Sequence, residues 1–432
     1  MKICTSCLQR ATRAHEASRS MQRRSVVTTS IPPQARPGPS TIGSRNDTDR
    51  TTSVGDFTST KTEAGFIQGE VLDLAVDLQA LRPGDKLEIP YELTVSESLH
   101  DFWQSAFHSQ DRIHTSRPFA RKIGLQDQVL PFPLVLFLTS SMTHADAAKV
   151  QVGFGNVHYL WPAFAGDTFK KSFHVKAVRN TSDGNHSIMD FTCDLINQRG
   201  RLCMRADKRM LFEFPVQESS TTCSLDEPEQ LFRNHLFAKA NILEELGSQS
   251  LAALRPGQLV LHNMQRSLSG SQSQQLASLV KLTHPRHFNT RKYDQNELLI
   301  PGGLVLGLAM SAASRDLHEV IHEELINVNY VNSVHPGNLV GAISFVTSIN
   351  EKVPGDLKRV RLRTIGIKNL DIVNELQDIP LPIELFSGDT PLLPKELELI
   401  CKIKCPKLSK KVVVQMDRIV YRRSFRPNMF LL

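Results

Sequence analysis

The feature that most constrains this chain is that it repeats itself. Sliding the sequence by 170 residues lays His114 on His284, Arg121-Lys122 on Arg291-Lys292, Pro131 on Pro301, and Leu134-Val135-Leu136 on Leu304-Val305-Leu306. The spacing from the histidine to the proline is 17 residues in both copies. After one residue of slippage, Asn156-Val157 meets Asn327-Val328, Tyr159 meets Tyr330 and Gly166 meets Gly337. Upstream, Ala80-Leu81-Arg82-Pro83-Gly84 recurs as Ala253-Leu254-Arg255-Pro256-Gly257. Any one match is cheap. Matches in one order at nearly constant offset mean two copies of one unit, and that has to be settled before a fold is assigned.

Within a copy the hydrophobic pattern changes period. In the first, Leu87–Val95 alternates like a strand. Ser96 is placed to cap a short helix through Phe107. Asp111–Thr115 reads as a loop and Arg117–Ile123 as a helical turn. Leu134–Leu138 and Met142 are apolar nearly all round, the pattern of a buried helix, and Pro133 suits its first turn. Four strand-like segments follow, 150–159, 168–179, 187–197 and 202–214, with Thr181-Ser182-Asp183-Gly184 and Asn197-Gln198-Arg199-Gly200 as turn chemistry between them. The second copy has its helix at Gly303–Leu317 and strands at 325–331, 339–348, 359–367 and 411–421. The expected fold class is α+β: two fused units, each an antiparallel sheet wrapped around one buried helix. The expected units span 64–216 and 231–424, joined by a polar linker at 217–230. An insertion at 371–394, rich in proline, reads as an irregular surface loop.

Charge is unevenly placed. The net +7 sits in residues 1–46, which hold eight basic residues and one acid, Glu16; the remainder balances at 43 of each sign. The folded part therefore has no bulk attraction for phosphate, and a nucleic-acid partner is not expected. The Arg- and Ser-rich, acid-poor tail, with a basic amphipathic stretch from Leu8 to Arg24, has the composition of a mitochondrial transit peptide. A disordered tail is the alternative, and residues 47–63 read as a linker. The localisation expected from the tail is the mitochondrial matrix. No run of about 18 apolar residues occurs, so no membrane span is expected. The seven cysteines are scattered and imply no disulfide framework. Cys4-x-x-Cys7 has no matching Cys/His pair, and no metal site is expected.

The His-bearing loop at Ile113-His114, the proline-bounded start of the buried helix, and Trp161-Pro162-Ala163-Phe164-Ala165-Gly166-Asp167-Thr168 leading into a strand resemble the MaoC-like hydratase/dehydratase family. The resemblance covers about residues 65–424 and implies the hot-dog fold, doubled here. It also implies chemistry on the double bond of an enoyl thioester of coenzyme A or an acyl carrier protein, with no cofactor beyond the carrier. The family's loop is Asp-x-Asn-Pro-x-His. Its Asp and His activate water and move a proton at the α-carbon, while a glycine N–H at the helix start holds the thioester oxygen. On this pattern His114 takes the histidine, Ser109 stands in place of the Asp, and Asp111 in place of the Asn. Pro133 stands near the glycine and has no N–H to donate. In the second copy Gly302-Gly303 looks like the oxyanion loop, His284 keeps the histidine, and Leu279 replaces the acid.

The resemblance thus implies His114 and Asp111 as catalytic residues, Gly302, Gly303 and Pro133 at the substrate, and His284 as an alternative base. Arg121, Lys122, Arg291 and Lys292 are candidates for coenzyme A phosphates or simply solvated helix faces. Trp161 and Phe164 read as core or rim aromatics. Three readings remain open: a hydratase or dehydratase, a hot-dog relic that binds an acyl thioester or a protein partner, and a thioesterase, since fold does not fix function. A monomeric double unit and a homodimer both satisfy the sequence.

Overall fold

Both copies fold through the same order of elements. The computed structural model describes residue 69 and residues 77–140, 148–247, 253–350 and 352–424. The expected transit peptide and linker lie outside these. The first half runs β1 (Lys86–Glu88), β2 (Leu93–Thr94), α1 (Glu97–Phe107), α2 (Arg112–Thr115), α3 (Arg117–Lys122), α4 (Phe132–Leu138), then β3 (Ala148–Tyr159), β4 (Thr168–Asn180), β5 (Ser187–Asn197) and β6 (Leu202–Phe212). Two helices, α5 (Leu231–Ala238) and α6 (Ala240–Glu245), connect it to the second half. There β7 (Leu259–Leu261), α7 (Gly270–Leu279) and α8 (Gly302–Leu317) precede β8 (Val320–Tyr330), β9 (Val340–Asn350) and β10 (Leu357–Lys368); α9 (Ile372–Leu376) and α10 (Pro394–Lys404) then lead to β11 (Val412–Arg423).

Several local causes are visible. Ser96 caps α1 by accepting from the Leu99 N–H at 3.1 Å, as its position indicates. The single strand expected over 87–95 is two short ones, separated by Pro90, which has no N–H for a ladder. The expected loop 111–115 closes into a helical turn, α2. The buried helix of the first half is short: α4 ends at Leu138, whose carbonyl accepts from the buried Lys171 ammonium at 2.7 Å. Lys208 donates to the Ser140 carbonyl at 3.2 Å just beyond. Cations suit the negative end of a helix. The remainder of the expected run, through Met142, lies outside the described residues. In the second half α8 has 16 residues and is buried along most of its length.

The eight long strands stand where the alternation indicates, but β8 starts at Val320, five residues earlier than expected. The strand order is β1-β4-β5-β6-β3-β8-β11-β10-β9-β7, with β2 on β4. The halves are therefore not two sheets but one, joined by the antiparallel pair β3 and β8. Gly153 makes that seam close, since a Cβ there would stand 2.0 Å from the Val328 carbonyl oxygen. The two central helices meet in one apolar core shared by both halves.

The segment 371–394 is not the irregular loop expected. It includes α9 and places Leu376, Leu385 and Phe386, with Leu397 and Cys401 of α10, in one cluster with Ile343 and Ile365 of the sheet. The reason lies in β10. A Cβ on Gly366 would touch Ala309 of α8, so its neighbour Ile365 faces the other way and needs a cover. The segment is tied down where Asn329 Nδ2 donates to the Leu392 carbonyl at 3.2 Å.

Candidate active site

The two His-bearing loops are pseudo-symmetric, and each reaches across the seam. In the first half Asp111 precedes α2 without capping it. Its Oδ1 accepts from the backbone N–H of Val320, the first residue of β8, at 2.9 Å. Burial raises the Asp111 carboxyl to about 8; the Glu323 and Glu319 carboxylates add to this, against the Val320 N–H and Arg422. Asp111 therefore holds a proton at neutral pH. His114 follows three residues on. Its Nδ1 lies 2.8 Å from the Val129 carbonyl and must donate to it, leaving the lone pair on Nε2. Burial lowers this imidazole to about 4, against the effect of that bond.

The structure thus brings Asp111, His114, Ser109 and Pro133 together, around a cavity of about 30 Å³ that also meets Ser311 and Glu323. That is room for one or two waters, not for an acyl thioester. The helix start there is also poor in donors. Pro131 and Pro133 stand at the N-cap and the second position of α4, and neither has an N–H.

In the second half a 3-10 turn, Pro285–His287, replaces α2, and His284 precedes it. His284 Nε2 donates to the carbonyl of Ala148, the first residue of β3, at 2.9 Å, and its Nδ1 accepts from the Arg286 N–H at 3.2 Å. His287 Nδ1 donates to the Leu299 carbonyl at 2.8 Å. Leu299 stands two residues before Pro301, as Val129 stands two before Pro131. His287 is therefore the counterpart of His114, and His284 the counterpart of Asp111. This corrects the pairing of His114 with His284 by constant offset: the second loop carries its histidine three residues later. The motif then threads onto Leu282-Thr283-His284-Pro285-Arg286-His287, with proline and histidine both in place. Leu282, not Leu279, stands at the acid position. Pro285 was the sequence signal that could have located His287. Burial lowers His287 to about 4, with His284 and Arg286 adding to this against the Leu299 bond.

His284 and His287 open onto a mainly apolar cavity of about 400 Å³ between the halves. Gly302 and Gly303 also line it. They are the first two residues of α8, where backbone N–H groups have no intrahelical acceptor and the helix dipole is positive. Space is tight at both glycines, and more so at Gly303. A Cβ on Gly303 would lie 2.6 Å from the Phe137 ring, and one on Gly302 would lie 3.1 Å from the Tyr330 ring. Tyr330, which sequence reading passed over, turns its hydroxyl toward this helix start, 3.4 Å from the Gly302 Cβ position. Burial raises that hydroxyl above its ordinary range. The insertion contributes Pro394 to the wall. Gly302 and Gly303 thus share a cavity with His287, not with His114.

The remaining candidates fall elsewhere. Arg121 pairs with Asp127 at 3.5 Å, Lys292 lies over the Tyr293 ring, and neither these nor Lys122 and Arg291 reach the cavity. Trp161 lies under the Arg201 guanidinium and Phe164 is core. Among the described residues no group of acids, histidines and cysteines could hold a metal ion, and no helix is long and apolar enough to cross a membrane.

No family model matches the chain, and no curated protein matches it. Solved structures do. A protein from Chloroflexus aurantiacus, provisionally assigned as a MaoC domain protein dehydratase, is similar with a TM-score of 0.62 at 18% identity, over 80% of this chain and 97% of that one. A conserved hypothetical protein from Mycobacterium tuberculosis with a double hot-dog fold is similar with a TM-score of 0.55 at 15% identity, over 80% and 97%. A MaoC-like dehydratase is similar with a TM-score of 0.52 at 11% identity, over 80% and 99%. With its two repeats, its continuous antiparallel sheet and its central helices side by side, the chain has the double hot-dog fold found in MaoC-like dehydratases.

Proposed function

We propose that the protein adds water to, or removes it from, the double bond of an acyl thioester carried by coenzyme A or an acyl carrier protein. The second-half cavity is the site. The observation that carries this reading is the meeting of His287 with the donor-rich start of α8 in one apolar cavity. The thioester oxygen sits at the N–H groups of Gly302 and Gly303, which face charge as it develops on the enolate. In hydration, water bonds to the β-carbon and passes a proton to His287 Nε2; the imidazolium returns that proton to the α-carbon as the enolate collapses. Dehydration is the reverse. With Leu282 at the acid position, one imidazole serves as both base and acid. His287 suits the task of base because it is neutral at physiological pH with its lone pair on Nε2.

The test is loss of enone absorbance when protein is added to crotonyl and longer enoyl thioesters. Turnover is expected for the wild type and not for His287→Ala, whereas His114→Ala retains most of it. A wild type that turns over no chain length overturns the reading. It would then favour a second one, to which Leu282 and Ser109 already point: a hot-dog protein that holds an acyl thioester without converting it. From the tail composition we further propose residence in the mitochondrial matrix, tested by the N-terminal sequence of the mature protein.

A further inference from the structure

We infer that the protein rests on an anionic lipid surface through the outer face of α10, lying on the bilayer and not spanning it. Exposed apolar side chains gather there. Among the described residues the four most exposed large aliphatic side chains are Ile383, Leu393, Leu399 and Ile403, all within the insertion and α10. Leu399 is 58% exposed and Ile403 68%, while Leu397 and Cys401 of the same helix are fully buried. At about 100° per residue, Leu399 stands about 160° round the helix from both of those. It is the crest of the outer face, with Lys395, Lys402 and Ile403 beside it at i−4, i+3 and i+4. A helix face left to water is polar, and single exposed aliphatics need no explanation. Several in one short segment mark a surface that meets something apolar.

Charge and composition narrow what covers it. Residues 394–411 hold six lysines and two acids, although the chain beyond residue 46 balances overall. Lys395 and Lys402 are exposed and have no partner among the described residues. The two acids are taken up locally: Glu396 accepts from the Leu393 N–H at 3.3 Å and Glu398 from the Ser409 hydroxyl at 2.6 Å. Of the five acids in 371–394, Asp371 and Glu375 hold the start of α9 and Glu384 pairs with Lys404. Residues 394–411 contain no arginine and no aromatic residue. Protein interfaces are enriched in arginine and aromatics and depleted of lysine, so a protein partner fits this face poorly. A second copy of the chain would bring lysine against lysine. Protruding aliphatics beside lysines suit a lipid surface. The aliphatics enter between headgroups, and the lysine stems lie along apolar surface while their ammonium groups reach the phosphates. Pro394 opens α10 and lines the cavity, so the helix that meets lipid begins at the wall of the candidate site.

The experiment is sedimentation of the full chain with vesicles of phosphatidylcholine alone and of an equal mixture with phosphatidylserine. It reads binding, so it stands apart from the hydro-lyase reading. The wild type is expected to bind the mixed vesicles well above the neutral ones, and less as salt is raised. Leu399→Ser with Ile403→Ser, and separately Lys395→Glu with Lys402→Glu, are each expected to lower the partition coefficient about tenfold or more, by lost aliphatic burial in one and lost attraction in the other. Lys122→Glu with Lys352→Glu changes the net charge equally at exposed sites elsewhere and is expected to move it less than about twofold. The basic tail is common to every variant, and melting temperatures show that each is folded. No preference for the mixed vesicles overturns the inference, as does binding that neither α10 pair weakens. Binding lost with the lysine pair but kept with the serine pair overturns it too, because charge alone would then hold the protein. Self-association without lipid that the serine pair abolishes overturns it and assigns the face to a second copy. Capture of crotonyl-loaded acyl carrier protein that the glutamate pair abolishes, with vesicles ignored, overturns it and assigns the face to a protein.

Discussion

At the scale of single residues, two buried groups titrate in opposite senses and make separable predictions. His287 has an ordinary value of 6.5 and a folded one of about 4. As the catalytic base it stays unprotonated well below pH 6.5, so kcat/KM is expected to hold between pH 6.5 and about 5. A fall centred near 6.5 would identify an unburied base instead. For stability the sign is the following. Between pH 6.5 and 4 the unfolded chain takes up a proton that native His287 refuses, so stability is lost as pH falls through that window. Asp111 is raised from 3.8 to about 8. Its native carboxyl keeps a proton the unfolded chain gives up, so stability is lost as pH rises from about 4 to about 8. Asp111→Asn retains an oxygen for the Val320 N–H and cannot ionise. Its melting temperature is expected to exceed that of the wild type by several degrees at pH 8.5 and by little at pH 5. An equal difference at both would mean that Asp111 is already ionised in the native state.

At the scale of elements, the start of α8 couples to α4. Gly303 faces the Phe137 ring so closely that a methyl group would stand 2.6 Å from it, and Phe137 is fully buried and cannot swing away. Gly303→Ala is expected to cost about 1–3 kcal/mol, as overpacked cores do. Phe137→Leu alone is also destabilising, yet in the double variant it makes room for the methyl group. The pair should therefore be clearly less destabilised than the sum of its parts in denaturant titrations; strict additivity would mean that the helices do not meet here. This contact also marks what sequence could reach. The helices α1 and α3, the starts of the two central helices, the eight long strands and the Ser96 cap were legible because period and capping are local properties. The pairing of the His loops was not, because it depends on which carbonyl each ring meets, Val129 or Leu299. A constant offset reads through a three-residue change in loop shape without registering it. The insertion was misread for a related reason: its prolines suggest a loop, while its partner Ile365 is recognised only once the outer face of β10 is known to be bare.

At the scale of the whole molecule, the seam between β3 and β8 decides whether this is one body or two. The repeat implied two sheets; the register of Gly153 with Asn329 and Phe154 with Val328 makes them one. The cavity depends on that union, because Ala148 and Gln151 of β3 line it together with His287 and Tyr330. Two glycines of β3 separate the roles of seam and strand. A Cβ on Gly153 would fall 2.0 Å from the Val328 carbonyl oxygen, a backbone atom that cannot yield without parting the strands, whereas one on Gly155 would meet nothing nearer than 3.7 Å. Gly153→Ala is therefore expected to lower stability by more than about 3 kcal/mol, the range of mutations that break a buried contact outright. Gly155→Ala should change it by less than about 1 kcal/mol, since a strand interior tolerates alanine at least as well as glycine. In urea titrations the wild type and Gly155→Ala should share a midpoint and a slope. Gly153→Ala should unfold earlier, and a lower slope there would mean that the halves have begun to come apart separately. Equal midpoints for the two variants would show that the strands are not joined at this register, and the shared cavity would lose its lining from β3.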